Sequence, residues 1–349
     1  GWVPVINRWS NQAYFTQTFS GWHWGVSRRE YMEYWIERTG PLTRREVAAA
    51  DRLRAVLRDR DGERILAAVL TAASSDEGAA VLASRWAPEV CEAWQEAVKA
   101  FAPRFERVWA EDEQRLRNHG QILSGESVSW LRDAVRDTDA FFGLDRRAEP
   151  LRVYLLLSAP GYSGGNGDML TGPGGMTFEC SGMKEQDFEN SLPGFIHEVM
   201  HVRHQPEVLR RLIEDLLADR DLIGQEPGEY AQTPICAMGV DFESYLGEVV
   251  LHSLWPTGAL AWKYFPDCGV NLWRRFSRDM NVYDHWVFFP AHVVATMTRS
   301  YLDQGRVVDL QLLRHAYDIH VALRRHSCAE ATKAKTAGGE TDQPDHGLE

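Results

Sequence analysis

Two histidines stand four positions apart on either side of a glutamate, in the pentapeptide His197, Glu198, Val199, Met200, His201. In an α-helix, residues i and i+4 lie on one face about one turn apart, so both imidazoles can reach the same metal ion. The intervening glutamate then lies beside that ion, where it can exchange a proton with water. Because this spacing is useful only in a helix, it predicts one here.

The residues around the pentapeptide predict a helix with a buried face. Asn190 and Ser191 are suitable N-cap residues, and Pro193 would fall in the first turn. Apolar residues follow at helical spacing, namely Ile196, Val199, Met200 and Val202. The alternative is an ordinary amphipathic helix whose histidines only form hydrogen bonds in the interior. We favour a metal site.

The region before residue 150 is predicted to be helical. The stretch from Gly1 to Gly25 is rich in aromatic residues but has no clean periodicity, so we expect an irregular arm packed on the body. Beyond it, apolar residues three and four positions apart predict helices at about 28–38, 44–59, 62–73, 76–84, 88–118 and 126–142. An interruption of the fifth helix is expected near Pro103.

The character of the sequence changes at Pro150. Short β-prone runs at 151–158 and 175–180 predict two strands joined by a glycine-rich loop, and helices are expected again after Asn190. We therefore predict a predominantly helical α+β fold with an N-terminal region at 1–149 and a catalytic core at 150–328. The polar segment 329–349 is expected to be disordered.

The charge balance excludes several kinds of partner. The 349 residues carry 50 Asp and Glu against 38 Lys and Arg, a net charge of −12 that disfavours binding to nucleic acid. No apolar run is long enough to span a bilayer. The five cysteines form no C-x-x-C pair, which argues against a thiolate zinc site. We expect a soluble protein, either cytoplasmic or secreted after removal of a leader, and its oligomeric state is left open.

The pentapeptide and its context, from about Leu151 to Leu254, resemble the zincin metallopeptidases. That resemblance implies a small sheet beside the metal-binding helix, a Zn²⁺ ion, and a third protein ligand besides the two histidines. The segment Tyr245-Leu246-Gly247-Glu248 is similar to the pattern around the metal-binding glutamate of gluzincins, which implies that Glu248 is this ligand. It follows His201 by 47 positions, a longer gap than in many gluzincins.

Two other glutamates compete for the third position. The metzincin pattern would place glycine at 204 and a ligand at 207, where this chain has His204 and Glu207. Glu207 follows Pro206 and fits the first turn of a new helix, where a carboxylate is stabilised by the helix dipole. Glu243 precedes Glu248 by five positions on the same predicted helix and is the second competitor.

The resemblance also implies a reaction. Zinc on His197, His201 and Glu248 would lower the pKa of a water molecule, and Glu198 would take its proton as the oxygen attacks a carbonyl group. A Tyr or His would stabilise the resulting oxyanion. The candidates for this donor are His252, Tyr283 and His285, followed by Tyr230 and His292. His252 lies one turn after Glu248 and could instead hydrogen-bond that ligand.

The expected substrate is a peptide or protein. An extended peptide would pair with an edge strand of the sheet, for which Met176–Glu179 is the candidate. Two other functions stay open: hydrolysis of a non-peptide amide or ester, and a binding domain with a non-catalytic metal helix. Glu198 favours catalysis, because a purely structural metal site needs no base beside the ion.

Overall fold

Most of the chain is helical, as the spacing of its apolar residues predicts. The computed structural model describes residues 1–21, 29–57, 62–126, 128–144, 150–160, 164–166, 175–224, 226–266 and 281–337. The chain forms two units. Unit 1 comprises Gly1–Arg136 and Asp145–His204, and unit 2 comprises Asp137–Leu144 and Gln205–Glu349. The prediction of a predominantly helical α+β protein with a small sheet is confirmed.

Unit 1 contains the sheet and the helix with the two histidines. Its strands are β1 (Trp2–Val5), β2 (Leu151–Leu156), β3 (Gly164–Asn166) and β4 (Gly175–Glu179). Its helices are α1 (Arg8–Ser20), α2 (Arg29–Thr39), α3 (Arg44–Leu57), α4 (Gly62–Leu70), α5 (Ser75–Arg85), α6 (Pro88–Ser124) and α8 (Glu185–Arg203). Helix α7 (Trp130–Phe141) contains the division at Arg136.

The four strands lie in the order β1-β2-β4-β3. β1, β2 and β4 are parallel, whereas β3 runs antiparallel to β4 with Gly164 opposite Glu179. The expectation that Met176–Glu179 is an edge strand is wrong, because β4 is paired on both sides. Among the described strands, the edges are β1 and β3. Three residues with two glycines carry too little apolar pattern for β3 to be found from sequence.

The prediction of an irregular N-terminal arm over residues 1–25 is wrong for residues 1–21, and residues 22–25 lie outside the described part of the chain. Residues 2–5 form a strand of the sheet, and α1 follows with Asn7 as its N-cap. Polar as well as apolar side chains of α1 are buried, among them Asn11, whose amide hydrogen-bonds both the carbonyl of Leu155 and the N–H of Leu157 at 3.1 and 2.9 Å. A helix buried all round shows no amphipathic period, which explains the missing signal.

Helix α6 continues through Pro103 without the predicted interruption and ends at Ser124. Its buried side chains hold it on both sides of the proline, including Phe101 and Phe105. Arg104, which is 2% exposed, donates to both carboxylate oxygens of Glu46 at 2.9 and 2.8 Å. This tertiary packing outweighs the backbone hydrogen bond lost at Pro103.

The described residues of unit 2 form helices joined by turns and loops and contain no strand. Its α-helices are α9 (Arg210–Ala218), α10 (Arg220–Ile223), α11 (Glu226–Tyr230), α12 (Pro234–Ala237), α13 (Phe242–His252), α14 (Ala259–Tyr264), α15 (Phe289–Asp303) and α16 (Leu310–Ala337). π-Helical segments occupy Gln205–Leu209 and Asp284–Phe288. Helix α16 extends into the segment expected to be disordered, and residues 338–349 lie outside the described residues. No described helix meets the length and hydropathy that a membrane span requires.

Aromatic contacts hold α8 within unit 1. Phe195 makes edge-to-face contacts with Phe178 of β4 and Trp2 of β1, with ring centroids 5.6 and 5.8 Å apart. Phe188 stacks on His119 of α6 at 4.4 Å. These contacts lie on the strands and helix that flank α8, so they orient the helix and the two histidines that it carries.

Two glycines near α8 give a test of this packing. A Cβ atom at Gly182 would lie 2.4 Å from the backbone of Ala159, whereas one at Gly194, inside α8, would meet nothing within 4 Å. We expect Gly182→Ala to destabilise the protein by about 1–3 kcal/mol through overpacking. Gly194→Ala should be neutral or stabilise it by up to about 1 kcal/mol through helix propensity. Denaturant unfolding measures both, and equal effects would contradict the described packing.

Burial of His119 predicts a dependence of stability on pH. Burial lowers the pKa of His119 from 6.5 to about 4. The charge of Glu185 opposes this shift, and that of Arg115 adds to it. The unfolded chain therefore takes up a proton at a higher pH than the folded chain, and stability present above pH 6.5 is lost as the pH falls towards 4. His119→Phe removes this titration while keeping a ring against Phe188.

The difference in unfolding free energy between wild type and His119→Phe, measured from pH 7 to 4.5, should shift against the wild type. The full shift expected for one such buried imidazole is up to about 3 kcal/mol. A difference that stays constant over this range would show that His119 has no lowered pKa.

Candidate metal-binding residues

The two histidines of the pentapeptide lie together on α8, as their spacing predicts. His197 and His201 are 7% and 5% exposed, and their Nε2 atoms are 3.0 Å apart. Their rings stand nearly perpendicular, at an interplanar angle of 84°. Two imidazole nitrogens therefore converge on one point at the surface of this helix.

The local reason for this arrangement differs in part from the prediction. α8 begins at Glu185 rather than at an N-cap on Asn190 or Ser191, so that expectation is wrong, and Pro193 lies inside the helix. Acidic residues in the first turn, Glu185 and Asp187, complement the positive end of the helix dipole. The buried Phe188 holds the first turns in place before the proline is reached.

The distance between the imidazoles limits their charge. Two protonated rings with Nε2 atoms 3.0 Å apart would repel each other in a site shielded from water. In a tetrahedral zinc site, each ligand nitrogen lies about 2.0–2.1 Å from the ion, so two such nitrogens are about 3.3 Å apart. The observed 3.0 Å is the length of a hydrogen bond between two neutral rings and about 0.3 Å shorter than that separation. A small rotation of one ring would let both nitrogens bind one ion. Glu198, between them in sequence, is half-buried.

A second group of predicted residues lies within unit 2. Helix α13 begins after Asp241, whose carboxylate caps it by accepting from the N–H of Ser244 at 2.7 Å. Glu248 and His252 lie one turn apart on this helix, with Oε2 and Nε2 3.2 Å apart. The hydroxyl of Tyr283 donates to the same Oε2 at 3.3 Å. Glu248 is 20% exposed, so this carboxylate is held in a largely buried position.

A π-helical turn places Tyr283 beside Glu248. The segment Asp284–Phe288 closes with a hydrogen bond from the N–H of Phe289 to the carbonyl of Asp284. Pro290 follows at the start of α15 and cannot donate a backbone hydrogen bond, which favours an irregular turn ahead of it. Phe288 packs on His252 with ring centroids 4.5 Å apart. Sequence analysis missed Phe288, because its partner His252 lies on another helix and no local spacing links the two residues.

The other predicted oxyanion donors of unit 2 have different neighbours. His285 lies 3.4 Å from the hydroxyl of Ser327, and burial lowers its pKa, with a further lowering from His326. Tyr230 donates to the carbonyl of Val240 at 2.9 Å, and burial raises its pKa. Burial lowers the pKa of His292, as it does for His285. The ring of His292 lies 5.4 Å from that of Trp262.

The competing carboxylates differ from Glu248. Glu243 is 46% exposed and lies 4.0 Å from Arg210, which is a surface ion pair. Glu207 belongs to the π-helical segment Gln205–Leu209, and its side chain lies outside the described part of the structure. Among the described residues of unit 2, the predicted candidates Tyr283 and His252 both contact the carboxylate of Glu248.

Comparison with protein-family models, with curated protein sequences and with solved structures finds no match to this chain.

Proposed function

We propose that the protein is a zinc-dependent metallohydrolase, and specifically a peptidase, in which His197, His201 and Glu248 hold the metal and Glu198 is the general base. The observation that carries this proposal is the buried pair of imidazoles on α8, whose Nε2 atoms are 3.0 Å apart. Nitrogen and carboxylate donors without thiolates are typical of catalytic zinc sites.

The choice of Glu248 as the third ligand is supported by its surroundings within unit 2. Metal-binding carboxylates are commonly oriented by further hydrogen bonds, and Glu248 has such contacts to Tyr283 and His252. Glu243 instead forms an exposed ion pair with Arg210. In this proposal His252 is a positioning residue that holds the carboxylate of Glu248.

In the proposed reaction, each side chain has a separate role. Zinc, when bound, would polarise the substrate carbonyl and make a water molecule more acidic. Glu198 takes a proton from the attacking water and returns it to the leaving amine, which needs a carboxylate free to change protonation state. Tyr283 is the candidate to donate a hydrogen bond to the developing oxyanion. Its single O–H donates to Glu248 in the free protein, so in the reaction it turns from that carboxylate to the oxyanion while His252 keeps Glu248 in place.

Unit 1 also offers a place for an extended substrate. Among the described residues, β3 pairs with β4 along one edge, and we propose that an extended peptide adds as a strand along the other. Main-chain hydrogen bonds to this edge would hold a peptide largely independently of its sequence. This feature favours a peptide over a small amide or ester as the substrate.

The proposed ligand set predicts the metal content and its response to substitution. The purified protein should bind about one zinc ion per chain, and His197→Ala, His201→Ala and Glu248→Ala should each lower the affinity by at least about tenfold. Glu243→Ala is the matched control on α13 and should leave it unchanged. Competition with a chelator at one fixed pH measures all four, because zinc binding releases protons. Loss of zinc in Glu243→Ala with retention in Glu248→Ala would refute the assignment.

Catalysis predicts a separate effect for Glu198→Gln. This substitution keeps the size of the side chain but removes the group that accepts a proton, so hydrolysis should fall by roughly 10²–10⁴-fold. Cleavage of a peptide library, followed by mass spectrometry, measures the rate, and elemental analysis checks that zinc is retained. If the variant cleaves peptides as fast as the wild type, Glu198 is not the base.

A further inference from the structure

Unit 2 contains a cavity of about 650 Å³ that the proposed hydrolytic chemistry does not use. Its wall includes Glu229, Thr233, His285, Trp286, Arg324 and Ser327. This volume falls within the range of sites that bind small organic molecules, roughly 300–1,000 Å³. Its lining combines a buried indole with several hydrogen-bonding groups, which is the usual composition of such sites.

The guanidinium of Arg324 is fixed in this wall by a buried carboxylate. Its Nε and Nη2 atoms donate to the two oxygens of Glu226 at 2.6 and 2.8 Å. Glu226 is 5% exposed and also lies 2.9 Å from Nε2 of the fully buried His320. A guanidinium held by two parallel hydrogen bonds is oriented before any ligand arrives.

A second carboxylate contacts the same guanidinium from the solvent side. Glu229 forms an ion pair with Nη2 of Arg324, and its side chain is 43% exposed. Because Glu229 is the exposed partner, its carboxylate can turn into water, and hydration then offsets much of the lost ion pair. The buried pair with Glu226 keeps Arg324 in place when Glu229 turns away.

The remaining wall suits a flat organic body with a polar edge. Trp286 is 4% exposed and supplies an apolar surface. His285 and Ser327 lie 3.4 Å apart and offer an imidazole and a hydroxyl group. Burial lowers the pKa of His285, so the imidazole is neutral at pH 7 and both accepts and donates hydrogen bonds.

We propose that this cavity binds a small organic carboxylate with an aromatic body, whose carboxylate replaces Glu229 on Arg324 while the ring lies along Trp286. Glu229 occupies the anion position in the free protein and competes with the ligand. The site is independent of the proposed zinc chemistry, because none of its groups is a proposed metal ligand or base. The same chemistry is offered by the C-terminal carboxylate of a peptide and by a free aromatic acid.

Isothermal titration calorimetry with three probes tests whether the site selects a negative charge. The probes share a phenylpropyl group and differ in the charge of their terminal group. 3-Phenylpropanoate should bind at least about tenfold more tightly than 3-phenylpropanol or 3-phenylpropylamine, since only the first forms a charge-assisted pair with a guanidinium. Equal binding of acid and alcohol, tighter binding of the amine, or no binding of the acid at millimolar concentration would overturn the proposal.

Two substitutions locate the binding. Glu229→Gln should tighten binding of the acid roughly two- to fivefold by removing the competing charge and leave the alcohol unchanged. Arg324→Lys should weaken the acid at least about fivefold, because lysine lacks the fork that pairs with a carboxylate. Thermal unfolding checks that both variants fold. Unchanged affinity of folded Glu229→Gln would contradict the proposal, as would unchanged affinity of folded Arg324→Lys. A carboxylate bound at zinc would be insensitive to either change.

The source of the carboxylate is distinguished by a further pair of probes. The tripeptide Ala-Ala-Phe and its C-terminal amide are compared with 3-phenylpropanoate in the Glu198→Gln protein, which avoids cleavage. Tighter binding of the free tripeptide identifies a peptide terminus as the ligand, and tighter binding of 3-phenylpropanoate identifies a free acid. Equal binding of the tripeptide and its amide would contradict recognition of a peptide carboxylate.

Discussion

The close approach of two buried imidazoles on one helical turn is the constraint that the packing of α8 in unit 1 must meet. With Nε2 atoms 3.0 Å apart and both rings shielded from water, the pair cannot carry two protons without strong repulsion. Holding the rings there requires a rigid helix. The aromatic contacts of Phe188 and Phe195 supply that rigidity by fixing α8 to α6 and to the sheet.

Unit 2 contains two largely buried carboxylates whose positions are also fixed by neighbouring side chains. Glu248 is held by a tyrosine and a histidine, and Glu226 by an arginine and a histidine. Burying a carboxylate is costly unless hydrogen bonds replace those it made with water. Among the described residues, Glu248 and Glu226 each have at least two such partners. In each case at least one partner lies far away in the sequence, Tyr283 for Glu248 and Arg324 for Glu226. The orientation of both carboxylates therefore depends on tertiary packing.

How far sequence analysis succeeds depends on how local each signal is. The helix with His197 and His201 could be predicted because their spacing and the neighbouring apolar residues share one period. The same method failed for α1, which is buried on all sides, and for β3, which has only three residues. Pro103 was expected to interrupt α6, but the local preference was outweighed by burial of the flanking residues. The proximity of Tyr283 to Glu248 depends on a π-turn, for which Pro290 is only a weak local signal that does not reveal the distant partner.

X-ray absorption at the zinc edge tests the central claim most directly, because it reports the atoms around the ion without requiring a substrate. The account predicts four-coordinate zinc with two imidazole nitrogens and oxygen donors at about 2.0–2.2 Å and no sulfur. Replacing His197 or His201 with alanine should remove one imidazole contribution from any zinc that remains bound. A sulfur shell near about 2.3 Å, or a spectrum with no imidazole contribution in the wild type, would contradict the account.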